Sequence, residues 1–181
     1  MIRMGRAMIK SDGIVMTEVR RQDSEALYQW INDAETVRFN APWRPVPWGN
    51  HAAWFDAVGR DPSTVLLVIR KDHAGPPIGV VQLINIHPIH RLAELRIRIG
   101  TEADRSQGLG TVALKAALDF AWRDLNLHRV WLRVFTSNER AIAAYTKAGF
   151  QKEGVLRHAA WIDGAWQDEI VMAALHEQGS R

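Results

Sequence analysis

Apolar residues recur along this chain with two different periods, and the switches between them predict strands alternating with helices. Residues 14–19, Ile-Val-Met-Thr-Glu-Val, suit a first strand. Asp23-Ser24 then offers a helix start, and Ala26, Leu27, Trp30 and Ile31 fall at helical spacing, so a helix is expected that fades before Asn40. Between Ala41 and Gly49, Pro42, Pro45 and Pro47 remove backbone donors and fix φ, which predicts an irregular, Trp-bearing loop. Asn50 is placed to cap a second helix through Val58. Asp61-Pro62 breaks the chain, and the β-branched run over 64–69 reads as a buried strand.

The second half is more regular. Strands are expected over 78–86 and 93–99; in the latter, Leu95, Ile97 and Ile99 alternate with Glu94, Arg96 and Arg98, giving one apolar and one charged face. Gly108-Leu109-Gly110 opens a helix carrying Val112, Leu114, Ala117, Leu118 and Ala121, and a strand follows over 129–135. Asn138 precedes a short helix over 139–147 that stops at Gly149. A closing hairpin over 155–161 and 167–174 turns at Asp163-Gly164. The expected fold class is α/β, a mixed sheet of about seven strands with about four helices. Residues 14–175 are expected to form one domain, between a flexible tail over 1–13 and a short tail over 176–181.

Composition narrows the picture. At 181 residues, 47% hydrophobic and 24% charged, the chain can bury one sizeable core and is too short for two comfortable domains. Its 23 basic and 20 acidic residues form no basic block, so nucleic acid is not an expected partner. With no cysteine, disulfides, a thiolate nucleophile and zinc-thiolate sites are excluded, in keeping with a reducing cytoplasm. No apolar run approaches the ~20 residues of a membrane span, and Met1 to Arg6 lead into no secretory apolar stretch. The expectation is a cytoplasmic protein without membrane partners. No histidine and carboxylate set has metal-ligand spacing, so no metal is expected.

The chemistry concentrates in two segments. Arg105-Ser106-Gln107-Gly108-Leu109-Gly110 lies between a strand and a helix, where glycines let the main chain approach a ligand and the helix start favours phosphate. A glycine pair there is more often a tight connection, and it matches neither the Walker pattern nor the dinucleotide fingerprint. Further on come Asn138, Ala141, Ala144, Tyr145 and Ala148-Gly149-Phe150. Together the segments resemble the GNAT superfamily of N-acetyltransferases, in which an Arg/Gln-x-x-Gly-x-Gly/Ala loop binds the coenzyme A pyrophosphate and a downstream Asn, Tyr, Gly-Phe series lines the pantetheine. Ser106 departs from the glycine frequent in the family. The wider pattern, with Ile78-Gly79-Val80 and the Asp163-Gly164 turn, resembles the branch holding ribosomal-protein, spermidine and pseudaminic-acid-pathway amino-sugar acetyltransferases.

That resemblance implies a sheet splayed between its fourth and fifth strands and acetyl-coenzyme A as cosubstrate. It places Ile97, Arg98, Ile99 and Gly100 beside the pantetheine, and Arg105, Ser106, Gln107, Gly108, Leu109, Gly110 and Thr111 at the phosphates. It adds Asn138, Ala141, Tyr145 and Lys147 along the cofactor, with Tyr145 as general acid to the thiolate. Glu94 reads equally as acceptor of the amine proton and as a solvent-facing strand carboxylate; His87 and His90 are alternative relays. Acceptor contacts are expected from Trp43, Arg44, Trp48 and His87, whose rings and guanidinium suit a small amine or amino sugar better than a polyamine. A protein N-terminus is the rival acceptor. A binding module without turnover is the other alternative, against which stand the filled positions Asn138 and Tyr145. The oligomeric state stays open, with a homodimer common among similar enzymes.

Overall fold

In the computed structural model, residues 8–37, 44–100 and 108–177 are described. Their strands are β1 (Met8–Ser11), β2 (Ile14–Glu18), β3 (Val65–Arg70), β4 (Gly79–His87), β5 (Leu92–Ile99), β6 (Arg129–Phe135), β7 (Gln151–Ile162) and β8 (Ala165–Leu175). The helices are α1 (Ser24–Asn32), α2 (Ala34–Val37), α3 (Trp48–Val58), α4 (Leu109–Arg123) and α5 (Glu139–Ala148). All eight strands join one sheet in the order β1-β2-β3-β4-β5-β6-β8-β7. Only the central β5–β6 pair is parallel. The mixed α/β class is as expected, with β1 added: Met8–Ser11, read as part of a tail, pairs antiparallel with β2 through a turn at Gly13 (φ 74°). Four residues are too few to show a period of their own, so this strand exists by virtue of its partner.

Both faces of the sheet are covered, which parallel-containing sheets require. On one face α4 presents Ala113, Leu114, Ala117 and Ala121 to Met16, Ile69, Leu83, Leu95, Val130 and Leu132. Its alanines let the helix axis approach the strands closely. On the other face Leu27 and Trp30 of α1 cover Val68 and Val80.

Two helix starts differ from expectation. Asp23 makes no side-chain cap to α1. Its buried carboxylate instead takes the Arg20 amide at 2.7 Å and Arg70 Nη2 at 2.6 Å. Arg70, equally buried at 0% exposure, also donates to Thr17 Oγ1 at 3.2 Å and the Gly75 carbonyl at 2.9 Å. This buried ion pair ties the entry of α1 to β3. In α3 the helix begins at Trp48 rather than after Asn50, because the Pro47 carbonyl accepts from the amides of Asn50 (3.0 Å) and His51 (3.1 Å). Pro47 at φ −61° is already set for that entry.

The closing hairpin is longer than its hydrophobic pattern suggested, and its turn is the one expected. Asp163 and Gly164 have φ of 49° and 77°, the paired left-handed conformations of a type I′ turn. β7 shifts register against β8 at Lys152/Gly154 and again at Leu156/Ala160.

Candidate active site

The parallel pairing of β5 with β6 covers only Leu92 with Arg129, Ala93 with Val130, and Glu94 with Trp131. Beyond it each strand follows its other neighbour: β5 stays with β4 as far as Ile99 opposite Gly79, and β6 stays with β8 as far as Phe135 opposite Glu169. A wedge therefore opens in the middle of the sheet, starting at Glu94.

A cavity of about 610 Å³ lies on the α1/α3 side of this wedge. Strand alternation explains its floor. Glu94, Arg96 and Arg98 project from β5 on the face opposite Leu95, and stand across from Ile84, Gln82 and Val80 of β4. The charged face read from the sequence thus looks into a pocket, because α1 and α3 roof it with Leu27, Trp30, His51 and Trp54. Glu94 is 6% exposed, with Oε1 accepting from Arg96 Nε at 2.8 Å. Across the wedge, Arg133 Nη1 donates to Glu169 Oε2 at 3.2 Å.

Tyr145 reaches the same cavity from the opposite side. It stands on α5, which packs with the α4-side core, and its ring meets Phe150 edge-on at a centroid distance of 5.9 Å. It also lines the cavity, so it borders both that core and the pocket at the wedge. Burial pushes its phenol up to about 12, so it holds its proton across the neutral range. Asn138 caps α5, Oδ1 accepting from the Ala141 amide at 3.2 Å, and Gly149 at φ 105° closes the helix; together they fix the helix that aims Tyr145.

The end of β5 and the start of α4 meet. A Cβ on Gly110 would lie 3.8 Å from Ile99 Cγ1, which places the helix start beside Ile99 and Gly100. Gly108 caps α4 at φ 74°, a conformation side chains with a Cβ rarely adopt, and its carbonyl takes the amides of Thr111 (3.0 Å) and Val112 (3.3 Å). At Gly100 a Cβ would sit 2.2 Å from the Trp30 ring, so this glycine is required by the packing of α1 on the strand end. Gly100→Ala is expected to cost about 1–3 kcal/mol by overpacking, read in a thermal melt.

Of the expected site residues, Glu94, Ile97, Arg98 and Tyr145 line the cavity together. Trp43, Arg105, Ser106 and Gln107 fall outside the described residues. Arg44 is exposed and does not line the cavity. Trp48, part of α3, packs edge-on against Tyr28 (5.0 Å) and beside His51 (5.5 Å), bracing the roof from outside. His87 stacks on His90 at 4.2 Å in the β4–β5 turn, away from the lining. Ala141 is part-buried on α5, and Lys147 is exposed near its end. Sequence reading missed His51, Trp54, Arg133 and Glu169. His51 is 3% exposed, with Nε2 2.9 Å from the Ser24 carbonyl, and only its i+3 spacing to Trp54 on one helix could have flagged it. Among the described residues no cluster of His, Cys, Asp or Glu is arranged to hold a metal, and no helix is long and apolar enough to cross a membrane.

Residues 14–151 match the acetyltransferase (GNAT) domain. Spermidine N(1)-acetyltransferase of Escherichia coli (strain K12) is 32% identical over 174 residues, covering 94% of this chain and 90% of that protein. The [ribosomal protein uS5]-alanine N-acetyltransferase of the same organism is 26% identical, covering 91% and 89%. The crystal structure of spermidine N-acetyltransferase from Vibrio cholerae in complex with CoA and spermine superposes with a TM-score of 0.83 at 27% identity, covering 90% of this chain and 95% of that one. The chain belongs to the GNAT acetyltransferase family. It is an N-acetyltransferase acting on amines, in the branch its motifs indicated.

Proposed function

We propose that the protein transfers the acetyl group of acetyl-coenzyme A to the primary amine of a small acceptor, a simple amine or an amino sugar, by direct attack. The observation that carries this is that Tyr145 and the buried Glu94 line one cavity beside the wedge. Pyrophosphate is met by the start of α4 around Gly108 to Thr111, where the first amides have no partner within the helix. The pantetheine then runs past Ile97 to Gly100 and Asn138, bringing the thioester to the wedge. The cavity on the far side holds the amine.

In this arrangement the nitrogen lone pair forms the new C–N bond as the carbonyl becomes tetrahedral. Glu94, directly or through a water, takes the amine proton, and the C–S bond then breaks. The departing thiolate receives the hydrogen bond and proton of the Tyr145 phenol, and amide and free thiol leave. No acyl-enzyme is formed. The presence of the named spermidine acetyltransferases among the relatives makes spermidine the first amine to assay, with amino sugars and simple amines beside it.

The cradle is tested by melting. A ligand that binds only the folded protein stabilises it by about 2.7 kcal/mol at a hundredfold excess over Kd, so acetyl-coenzyme A is expected to raise Tm. Gly108→Asp sets a carboxylate against the phosphates and is expected to abolish the shift. Gly108→Asn, uncharged and tolerant of positive φ, is the control for backbone strain and is expected to keep most of it. A folded Gly108→Asp protein with a wild-type shift refutes the phosphate assignment. Thiol release with the amine set reads out turnover.

A further inference from the structure

The ionisable groups around the cavity are not arranged for a polycation. Two carboxylates line it, Glu94 and Glu169, and three guanidiniums, Arg96, Arg98 and Arg133. Each carboxylate is already held by an arginine, Glu94 by Arg96 and Glu169 by Arg133. The carboxylates are also the recessed partners: their side chains are 8% and 14% exposed, against 56% and 42% for Arg96 and Arg133. A ligand entering the pocket therefore meets guanidinium before carboxylate. Arg96 engages Glu94 through Nε alone, and Arg133 engages Glu169 through Nη1 alone. A guanidinium carries five N–H donors in a planar fork, so most of each fork remains for a ligand.

The positions of these arginines relative to the wedge are set by register. Glu94 is the last β5 residue opposite β6, where it faces Trp131. Arg96 and Arg133 each stand two residues further on, one along each strand. Two residues of strand span about 7 Å, so the α-carbons of both arginines lie roughly one pleat repeat beyond the level of Glu94. The Arg96 guanidinium leans back onto Glu94, while across the wedge that of Arg133 turns to Glu169. The roof over this pocket is apolar, with Leu27, Trp30, Ile31 and Trp54 among its lining side chains.

We propose that the acceptor is an amine carrying an anionic group, a carboxylate or a phosphate, on a short apolar spacer, with the anion held by Arg96 and Arg133 while the amine lies at Glu94. This rests on the acetyltransferase reading above and specifies its substrate class. A second ammonium at the same place faces two guanidiniums whose carboxylates are already satisfied, so a diamine or spermidine is disfavoured by like-charge repulsion. An anion there gains charge-assisted, fork-shaped hydrogen bonds.

The experiment compares amines of one chain length that differ only at the far end: 1,5-diaminopentane, 5-aminopentanol, 5-aminopentanoate and 5-aminopentyl phosphate, with spermidine alongside. Thiol release from acetyl-coenzyme A gives kcat/KM for each. The expected order places one of the two anionic amines roughly tenfold or more above the alcohol, with the diamine and spermidine at the bottom. Which anion leads separates a carboxylate from a phosphate acceptor. Arg133→Gln and Arg133→Lys are both expected to shrink the ratio of anionic to neutral amine by about fivefold or more, since Lys keeps the charge and loses the fork, with KM for acetyl-coenzyme A unmoved. Spermidine or the diamine outrunning the anionic amines overturns the proposal and leaves the acetyltransferase reading intact. An unchanged ratio in both Arg133 variants overturns it as well. Acetyl-coenzyme A binding with no turnover of any of these amines overturns this proposal and leaves the amino-sugar acceptor of the acetyltransferase reading standing.

Discussion

Tyr145→Phe is expected to lower kcat by roughly 100-fold to 10,000-fold while coenzyme A affinity stays as in the unsubstituted protein. The ring keeps its edge contact with Phe150, so packing is preserved and only the hydroxyl is lost. Burial holds the phenol protonated up to about 12, above the ordinary value of 10.0. The sign for stability follows. Below pH ~10 folded and unfolded chains both keep this proton, and between ~10 and ~12 only the folded chain does, so its contribution is lost as pH rises through that window. The rate profile is expected to show no basic limb from Tyr145 in the neutral range. Single-turnover kinetics with saturating amine check the effect on chemistry, and an unchanged rate there removes Tyr145 from the proton path.

The Arg70–Asp23 pair supports the second large expectation. Arg70→Met leaves a carboxylate at 0% exposure without its cation, and is expected to destabilise the fold by about 3–5 kcal/mol. For a chain of this length that corresponds to a fall in Tm of roughly 6–20 °C. The pair is incompletely satisfied, since Asp23 Oδ1 is buried without a partner among the described residues. Replacing both residues by apolar ones of similar volume, Asp23→Leu with Arg70→Met, is therefore expected to be less damaging than either single change. Thermal melts of the three proteins decide it. Additive losses would show that the two side chains do not depend on one another.

Local patterning made the second half of the chain legible because its elements are specified by residues close together. β6 spans 129–135 as the β-branched and apolar alternation indicates, and the Asn138 to Gly149 helix is bounded by its own cap and its own left-handed glycine. The Asp163-Gly164 turn is set by two adjacent residues. What was not legible depends on partners far away in sequence. Glu94 looks solvent-facing from its strand alone; it is buried because helices some 40–70 positions earlier roof that face. Asp23 has the composition of a cap, yet a cation 47 residues on claims its carboxylate. Trp48 has the look of a ligand-stacking ring, but Pro47 starts the helix there and turns the indole onto Tyr28. Of the proposed site, the wedge side was written in local motifs and the roof side in tertiary contacts.

β7 ends the sheet, and a twelve-residue edge strand with exposed Val155, Leu156 and Trp161 is the kind of surface on which sheets of separate molecules fuse. Its two register shifts deny that template continuity. At the first, Glu153 falls out of the ladder and is clamped by Arg129 through Nη1 at 2.6 Å and Nη2 at 2.5 Å, hydrogen bonds that also hold its carboxyl below the usual range. At the second, His158 takes a left-handed φ of 50° and gives its amide to Asp168 Oδ1 at 2.8 Å. An incoming strand can pair for only a few residues before the spacing of donors and acceptors falls out of step. The hairpin therefore exposes apolar side chains without exposing a continuous backbone ladder, which favours colloidal solubility at high concentration over edge-to-edge growth.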